Sequence, residues 1–299
     1  MSHSTERLTA LDLFAGTGGL SVGLRQAGWD VVASIEIDKW AAASLELNHA
    51  GAQVIQSDIR SIDFREFAGV DLIAGGPPCQ PFSVAGKQLA QADARDMVPE
   101  FIRAVREARP AAFLLENVPG LVSPRHHDYV LAVSESFRAL GYSVQLQVLQ
   151  AANYGVAQNR KRAFIVGTKV PHEFVFPKPT HGIGKGLLPF RTTRQALQGV
   201  PPDQPNTASV NYARKPVLRP SPWAGMLVNG GGRPINLDGL SHTIPASAGG
   251  NRTHILDSLG VLRDYHRHLW LGGEPKSGPV PNVRRLTVRE SARIQTFPD

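Results

Sequence analysis

The single cysteine of this 299-residue chain, Cys79, lies in the sequence Gly75-Gly76-Pro77-Pro78-Cys79-Gln80-Pro81-Phe82-Ser83. A lone cysteine cannot form an internal disulfide and lacks the cysteine partners of a typical structural zinc site, so we expect no metal. The prolines fix φ and remove two backbone donors, so the thiol stands on a stiff turn after the apolar residues 70–74. Such a thiol can act as a nucleophile, although most free cysteines are simply small buried hydrophobes.

A glycine-rich turn, Asp12-Leu13-Phe14-Ala15-Gly16-Thr17-Gly18-Gly19, follows the first predicted strand and opens a helix, whose N-terminus offers free N–H groups. Glu36 comes 20 residues after Gly16 and ends the second predicted strand, where a carboxylate can accept both hydroxyls of a ribose. Asp58 follows the third strand and can accept from an exocyclic amine. Together they predict a nucleoside pocket, although a glycine-rich turn alone is more often a plain tight turn.

Polar side chains also follow the fifth predicted strand and precede the last strand of the first part. Glu116 ends the fifth strand in Glu116-Asn117-Val118, and taken alone it is better explained as a capping or solvated residue. Arg160 and Arg162 lie two residues apart and would share one face of an extended segment. Such a pair can hold a base or a phosphate, although a solvated basic cluster is equally compatible.

The elements that must position these residues alternate between strand and helix. Strands are predicted at residues 8–14, 31–35, 54–55, 71–74, 111–115, 143–149 and 162–168, with helices between most of them. This alternation predicts an α/β fold with a doubly wound, mainly parallel sheet. Residues 171–281 are rich in glycine and proline and predict a smaller, irregular, β-containing domain. A last helix follows at 286–295, with a capping box from Thr287 and Glu290.

The composition excludes several classes of protein. Hydrophobic residues make up 42% of the chain and charged residues 19%, as in ordinary globular proteins. No apolar run approaches the ~20 residues that cross a bilayer, and the first residues do not resemble a signal peptide. With one cysteine, these features favour a cytoplasmic protein. The net charge of +7 favours a polyanionic partner, although basic residues can also serve solubility alone.

Taken in order, these motifs resemble those of the bacterial cytosine-C5 DNA methyltransferases of restriction-modification systems. The resemblance is carried by Phe14-Ala15-Gly16-x-Gly18-Gly19, Glu36-x-Asp38, Gly76-Pro77-Pro78-Cys79-Gln80-x-Phe82-Ser83, Glu116-Asn117-Val118, Gln158-x-Arg160-x-Arg162 and Arg285-Leu286-Thr287-x-Arg289-Glu290. It implies a class I methyltransferase, Rossmann-like fold. It also implies methyl transfer from S-adenosylmethionine to C5 of a cytosine that is flipped out of double-stranded DNA.

The resemblance assigns a role to each motif. Cys79 would add covalently to C6 of the cytosine, and Glu116 would hold N3. Arg162 would reach O2, with support from Arg160. The residues implied in cofactor binding are Phe14, Gly16, Gly18, Gly19, Glu36, Ile37, Asp58, Ile59 and Pro78. The residues implied in DNA binding are Gln80, Ser83, Arg233, Thr243, Asn251 and Arg252, although the loops that carry the last four could equally be packing turns.

The resemblance also implies a catalytic and cofactor-binding domain at residues 1–170, a target-recognition domain at 171–281 and a return to the catalytic domain at 282–299. The family usually closes with a Gly-Asn-Ala-Val-Pro-Pro element, and this sequence ends before it. We therefore expect a truncated chain, or a second polypeptide that supplies the segment. Without that segment, an apolar surface near residues 8–14 should be bare and the activity of this chain alone should be low.

Two alternatives remain open at this stage. One branch of the family methylates cytosine in tRNA, although an insertion of about 110 residues before residue 281 favours DNA. A non-catalytic DNA-binding subunit that needs a partner chain would also explain the missing end. The complete set of Cys79, Glu116 and Arg162 argues against a decayed catalytic site.

Overall fold

A computed structural model describes residues 7–49, 51–78, 96–169 and 174–299 of the chain. Within these ranges the contacts divide the chain into two compact units. The first is formed by residues up to Leu149 together with Lys161–Pro177, and the second by Gln150–Arg160 and Lys178–Asp299. The segments 150–160 and 282–299, expected in the catalytic domain, therefore group with the second unit. The physical reason is backbone pairing, as in the hydrogen bond from the N–H of Asn159 to the carbonyl of Ser241 at 2.8 Å.

A central sheet organises the first unit. Over the described residues its seven strands run in the order β3-β2-β1-β4-β5-β7-β6. They are β1 (Thr9–Leu13), β2 (Asp30–Glu36), β3 (Gln53–Gln56), β4 (Leu72–Gly75), β5 (Ala112–Asn117), β6 (Ser143–Gln150) and β7 (Lys161–Thr168). The first five strands are parallel, and β7 is antiparallel to β5. The strand order reverses between β1 and β4, which confirms the predicted doubly wound sheet.

Helices connect the strands of this sheet, and both of its faces are covered. The helices are α1 (Gly19–Gln26), α2 (Lys39–Asn48), α3 (Val98–Ala108) and α4 (His127–Ala139). Leu11 and Leu13 of β1 pack in one core cluster with Phe101 of α3. Ala10 packs with Leu24 of α1 in another cluster. This alternation follows because successive side chains of a strand point to opposite faces of a sheet.

The apolar surface that we expected to be bare near residues 8–14 is largely absent. Leu11 and Leu13 are fully buried, and Leu8, which precedes the strand, is exposed. The expectation is wrong for this strand because β1 lies between β2 and β4 and is covered on both faces. Exposed large apolar side chains occur instead on and beside α2, at Ile37, Trp40 and Leu47.

Short elements build the second unit, in keeping with its glycine- and proline-rich sequence. They are α5 (Thr193–Leu197), β8 (Tyr212–Val217), β9 (Met226–Val228), β10 (Ile255–Leu256), α6 (Val261–Trp270), β11 (Arg284–Arg285) and α7 (Val288–Ile294). β8 pairs with β9 and β10 with β11, both antiparallel. The predicted capping box of α7 is confirmed, since Glu290 N–H donates to Thr287 Oγ1 at 3.1 Å and Thr287 N–H to Glu290 Oε2 at 2.8 Å. None of the helices in the described ranges has the length and apolarity that a bilayer crossing requires.

Helix α6 is the main element that the irregular prediction for residues 171–281 omitted. Its buried side chains include Leu262, Tyr265 and Leu269, a helical spacing that its glycine-rich surroundings obscure. The carboxylate of Asp257 accepts the N–H groups of Val261 at 2.9 Å and Leu262 at 2.8 Å. These bonds satisfy donors that every helix start leaves free, so a residue outside the helix stabilises it.

A buried arginine ties three loops of the second unit together. Arg285 is 1% exposed, and its guanidinium donates to the carbonyl oxygens of Thr253 at 2.9 Å, Asn229 at 3.0 Å and Ser209 at 3.4 Å. Burial lowers the pKa of Arg285 from its ordinary value. Removal of the guanidinium would take this donor from the carbonyls of Thr253 and Asn229, whereas the carbonyl of Ser209 also accepts Nδ2 of Asn229 at 3.1 Å. An unsatisfied buried polar group costs about 1–3 kcal/mol. One side chain therefore supplies part of the hydrogen bonding of three loops.

We predict that Arg285→Lys lowers the free energy of unfolding by at least ~2 kcal/mol, because a single ammonium group cannot reach carbonyls on three loops. Arg284→Lys is the matched control. The Arg284 guanidinium contacts Glu290 Oε1 at 2.6 Å but is about half exposed, and a lysine can keep part of that pair at small cost. Urea unfolding of both variants measures the difference. Equal losses in the two variants would contradict the role given to Arg285.

Candidate active site

The glycine-rich turn, Glu36 and Asp58 lie at the carboxyl ends of three adjacent strands. Gly16 follows β1, Glu36 ends β2 and Asp58 follows β3, and these strands are neighbours in the sheet. Residues that are distant in sequence are therefore brought to one edge. This is the edge at which parallel α/β sheets bind their ligands.

The carboxylate of Glu36 fixes the turn from the next strand. Its Oε2 accepts the N–H of Gly16 at 2.7 Å, and its Oε1 accepts the N–H of Asp38 at 2.8 Å. Gly16 has a positive φ of 56°, and a Cβ added there would meet nothing within 4 Å. Open space thus lies beside an anchored carboxylate. Ile37, 64% exposed, offers an apolar surface next to it.

Other residues predicted for the cofactor site surround this carboxylate in the first unit. Phe14 adopts a positive φ of 55°, an uncommon conformation for a residue other than glycine that often marks functional turns. Asp58 forms an ion pair with Arg60 at 2.6 Å, and this hydrogen bonding lowers the pKa of Asp58 to about 2. The side chain of Ile59 is buried in the core cluster and its carbonyl accepts Nη2 of Arg103 at 2.8 Å, and its contact with the cofactor remains a prediction.

A buried carboxyl group, which the sequence analysis did not single out, lies just before the turn. Asp12 is fully buried at the end of β1, and its Oδ2 accepts Ser21 N–H at 3.0 Å and Ser21 Oγ–H at 2.6 Å. Burial raises the pKa of Asp12 to about 7 against the effect of these two bonds, and the charge of Glu36 adds to the increase. Asp12 thereby holds the first turn of α1 and the cofactor turn together. The sequence does contain a signal for this role, because Asp12 is an acidic residue within an otherwise apolar strand.

A buried histidine packs against the same turn. A Cβ added at Gly18 would lie 2.1 Å from His49 Nε2, so only glycine leaves room for the imidazole. His49 follows α2, and burial lowers its pKa although a hydrogen bond with the backbone of Thr17 acts in the opposite direction. No sequence motif indicates this contact, which arises because α2 ends beside the turn.

The second half of the site joins the end of β4 to the end of β5 and the start of β7. Arg162 Nε lies 2.7 Å from Glu116 Oε1, and the two side chains are 18% and 23% exposed. A Cβ added at Gly76 would lie 3.2 Å from Glu116 Oε2, so Gly76 allows the close approach of the carboxylate. The predicted site residues Glu116 and Arg162 are thus in contact, next to the turn that leads to Cys79.

Asn117 supports this turn from β5 and was part of a predicted motif without a role of its own. It is buried, and its Nδ2 donates to the carbonyl of Pro77 at 3.4 Å. Its Oδ1 accepts the N–H of Val118 at 2.8 Å. Asn117 therefore links the Pro77–Pro78 turn to the strand that carries Glu116. Pro78, predicted to line the cofactor site, is exposed.

Several predicted residues are placed elsewhere or are not described. Cys79, Gln80 and Ser83 lie outside the described residues. Arg160 belongs to the second unit, where its N–H donates to Gln150 Oε1 at 2.9 Å. Its predicted support of Arg162 remains a prediction.

Four residues of the second unit are predicted to read DNA. Arg233, Thr243, Asn251 and Arg252 are all exposed. His254 connects two of them, since its Nδ1 accepts the N–H of Arg233 at 3.3 Å and its Nε2 bonds the carbonyl of Thr243 at 3.2 Å. The adjacent glycines serve packing, because a Cβ at Gly230 would lie 2.1 Å from the carbonyl oxygen of Asn251.

Comparison with known proteins agrees with this geometry. The chain matches the family described as C-5 cytosine-specific DNA methylase over residues 8–299. It is 36% identical over 295 residues to the type II methyltransferase M.NgoMIV of Neisseria gonorrhoeae, covering 98% of this chain and 87% of that protein. It is 39% identical over 225 residues to the type II methyltransferase M.AquIA of a Picosynechococcus species, covering 66% and 91%. The crystal structure of the S. pombe Dnmt2 methyltransferase shares the fold, with a TM-score of 0.66 at 19% identity over 98% and 87% of the two chains.

The chain therefore belongs to the C-5 cytosine-specific DNA methylases. It is a DNA (cytosine-5-)-methyltransferase that uses S-adenosylmethionine as its methyl donor, which confirms the enzyme class, the fold class and the cofactor predicted from the sequence. The turn fits this cofactor. Gly16 leaves space beside the backbone, the Glu36 carboxylate keeps a second lone pair on each oxygen, and Ile37 is exposed next to it.

We predict that Asp12→Asn flattens the pH dependence of stability. The raised pKa means that the folded chain binds a proton that the unfolded chain lacks between about pH 4 and 7, so wild-type stability decreases as the pH rises through this window, by up to ~1.4 kcal/mol per pH unit. Asparagine still accepts from Ser21 but does not titrate. Urea unfolding from pH 5 to 8, taken as variant minus wild type, should show a relative gain for the variant as the pH rises. Parallel pH profiles would contradict a titrating Asp12.

Proposed function

We propose that the edge formed by β4, β5 and β7 is the catalytic centre, with Cys79 as the nucleophile for a cytosine flipped out of double-stranded DNA. The observation that carries the proposal is the Glu116–Arg162 pair at 2.7 Å, packed against Gly76 three residues before Cys79. A carboxyl group and a guanidinium held side by side offer complementary partners for the N3 and O2 edge of cytosine. Asn117 keeps the preceding turn in place.

The chemistry requires a covalent intermediate because C5 of cytosine is a poor nucleophile. The Cys79 thiolate forms a bond to C6, and the displaced electron pair makes C5 nucleophilic. A proton taken up at N3 balances the charge of the added thiolate, and Glu116 holds N3 and stabilises the protonated ring, while Arg162 binds O2 and Arg160 supports the site. S-adenosylmethionine supplies, when bound, the methyl group that C5 accepts. Loss of the C5 proton and release of the thiolate then restore the aromatic ring.

The second unit acts in this proposal as the target-recognition domain, and the first as the catalytic and cofactor-binding domain. Arg233, Asn251 and Arg252 are exposed. Arginine and asparagine side chains can form the paired hydrogen bonds by which proteins read base edges in a groove. Thr243 is held by its Oγ1–H, which donates to the carbonyl of Asn159 at 2.6 Å. Gln80 and Ser83 are proposed to contact DNA beside the nucleophile.

Two further predictions from the sequence stay within this proposal. A second polypeptide as a partner stays a prediction, and DNA is the substrate with or without it. A cytoplasmic location remains a prediction as well, which cell fractionation would test.

We predict that Cys79→Ser abolishes methyl transfer and largely spares DNA binding. A hydroxyl is far less acidic than a thiol, and the chain has no second cysteine to replace it. Transfer of tritiated methyl groups to DNA, with DNA binding measured on the same preparation, checks both parts. Near-normal turnover of the serine variant would contradict the assignment of Cys79 as the nucleophile.

We predict that Glu36→Ala weakens binding of S-adenosylmethionine by a free energy of roughly 1.5–3 kcal/mol, the usual size of a hydrogen bond to a charged group. DNA affinity without the cofactor should change little. The control is Glu46→Ala, an exposed glutamate on α2. Calorimetric titration with the cofactor should separate the two variants, and equal affinities would refute the role of Glu36.

A further inference from the structure

Helix α6 of the second unit has a basic and aromatic face that the proposed mechanism does not use. Arg263 and Arg267 lie one turn apart, and Trp270 and Leu271 follow one turn later on the same side of the helix. Together with two prolines of the segment 219–222, they line a groove of about 390 Å³. Trp270 is 56% exposed and Leu271 75%. The groove therefore combines an apolar floor with two guanidinium groups.

Internal contacts hold this groove in shape. His266 donates from Nε2 to the carbonyl of Arg219 at 2.7 Å, which ties the segment 219–222 to α6. The same imidazole stacks on Trp270, with ring centroids 5.6 Å apart and planes 19° apart. The indole is therefore oriented before any partner binds. A preorganised side chain loses little entropy on binding.

The charges of the groove are poorly balanced within the chain. The nearest carboxylate to Arg263 that forms an ion pair is Asp264, at a distance of 4.0 Å and with both side chains mostly exposed. Arg267 has no ion pair among the described residues. Two like charges at positions i and i+4 destabilise an isolated helix by a few tenths of a kcal/mol. An exposed apolar patch that is bordered by charged side chains marks an interaction site. The positive charges of Arg263 and Arg267 select an anionic partner.

We propose that the groove binds the sugar-phosphate backbone of double-stranded DNA, away from the bases that the enzyme reads. Guanidinium groups bind phosphate oxygens in a planar, bidentate manner, and the indole, leucine and proline surfaces suit the apolar faces of deoxyribose. The inference rests on the proposed function, because DNA is the polyanion on which this family acts. A duplex carries one negative charge per ~1.7 Å of its axis. This regular row of phosphates matches a stripe of arginines better than the scattered carboxylates of an acidic protein would.

The first test measures DNA affinity against salt for Arg263→Gln/Arg267→Gln, on a duplex of mixed sequence. Each lost phosphate contact should reduce the slope of log K against log salt by ~0.9, so the double variant should lose ~1.8. The matched control, Arg106→Gln/Arg138→Gln, removes the same charge from exposed positions on α3 and α4 of the first unit and should keep the wild-type slope. Equal slopes for the two double variants would overturn the inference.

The second test uses the wild-type chain and does not depend on the folding of variants. Phenylglyoxal modifies exposed arginines, and mass spectrometry identifies each modified position. DNA should protect Arg263 and Arg267 and leave Arg106 and Arg138 reactive. Protection by polyglutamate but not by DNA would assign the groove to an acidic protein and overturn the proposal.

The two proposals can fail separately. Normal cytosine methylation by the wild-type chain, with no protection of Arg263 and Arg267, would overturn the groove and leave the proposed function intact. Failure of the wild-type chain to methylate DNA would overturn the proposed function, which neither the salt slope nor the protection pattern measures.

Discussion

The parallel strands of the central sheet all end at one edge, and this constraint brings the residues of the candidate active site together. Gly16, Glu36, Pro77 and Glu116 follow or end four different strands, yet the sheet order places those strands side by side. The register depends on buried side chains such as Leu13, because a slip of one residue would turn the apolar face of a strand toward the opposite side. The positions of the functional side chains at this edge therefore depend on the packing of the strands that carry them.

Several charged groups of the candidate site are satisfied by the backbone or by a partner side chain. Glu36 accepts two N–H groups, Glu116 contacts Arg162, and Asp12 accepts twice from Ser21. These hydrogen bonds stabilise turns and strand ends, which the packing of apolar side chains alone does not hold in place. In the second unit, the guanidinium of one buried arginine takes the same role for three loops. In both units, single polar side chains substitute for the regular hydrogen bonding that irregular segments lack.

Much of the fold and the main motifs could be predicted from the sequence, because strand-helix alternation and turn residues are local signals. The contact of Glu116 with Arg162 was not predicted, because it depends on the antiparallel pairing of β5 with β7. The role of His49 could not be predicted, because it depends on where α2 ends beside the turn. Helix α6 was missed because its apolar spacing lies among glycines, and its start is stabilised by Asp257 from outside the helix. The sequence also did not indicate that the side chain of Ile59, next to a predicted site residue, faces the core.

The proposed mechanism depends on addition of the Cys79 thiol to C6 of cytosine at this edge of the sheet. The most direct test is to incubate the chain and S-adenosylmethionine with duplex DNA that contains 5-fluorocytosine. Because the C5 fluorine cannot leave as a proton does, the covalent adduct should persist after methyl transfer. We expect a denaturation-resistant complex in which the DNA is attached to the peptide that contains Cys79. Methylation of ordinary DNA without any trapped complex, or attachment to another residue, would exclude Cys79 as the nucleophile.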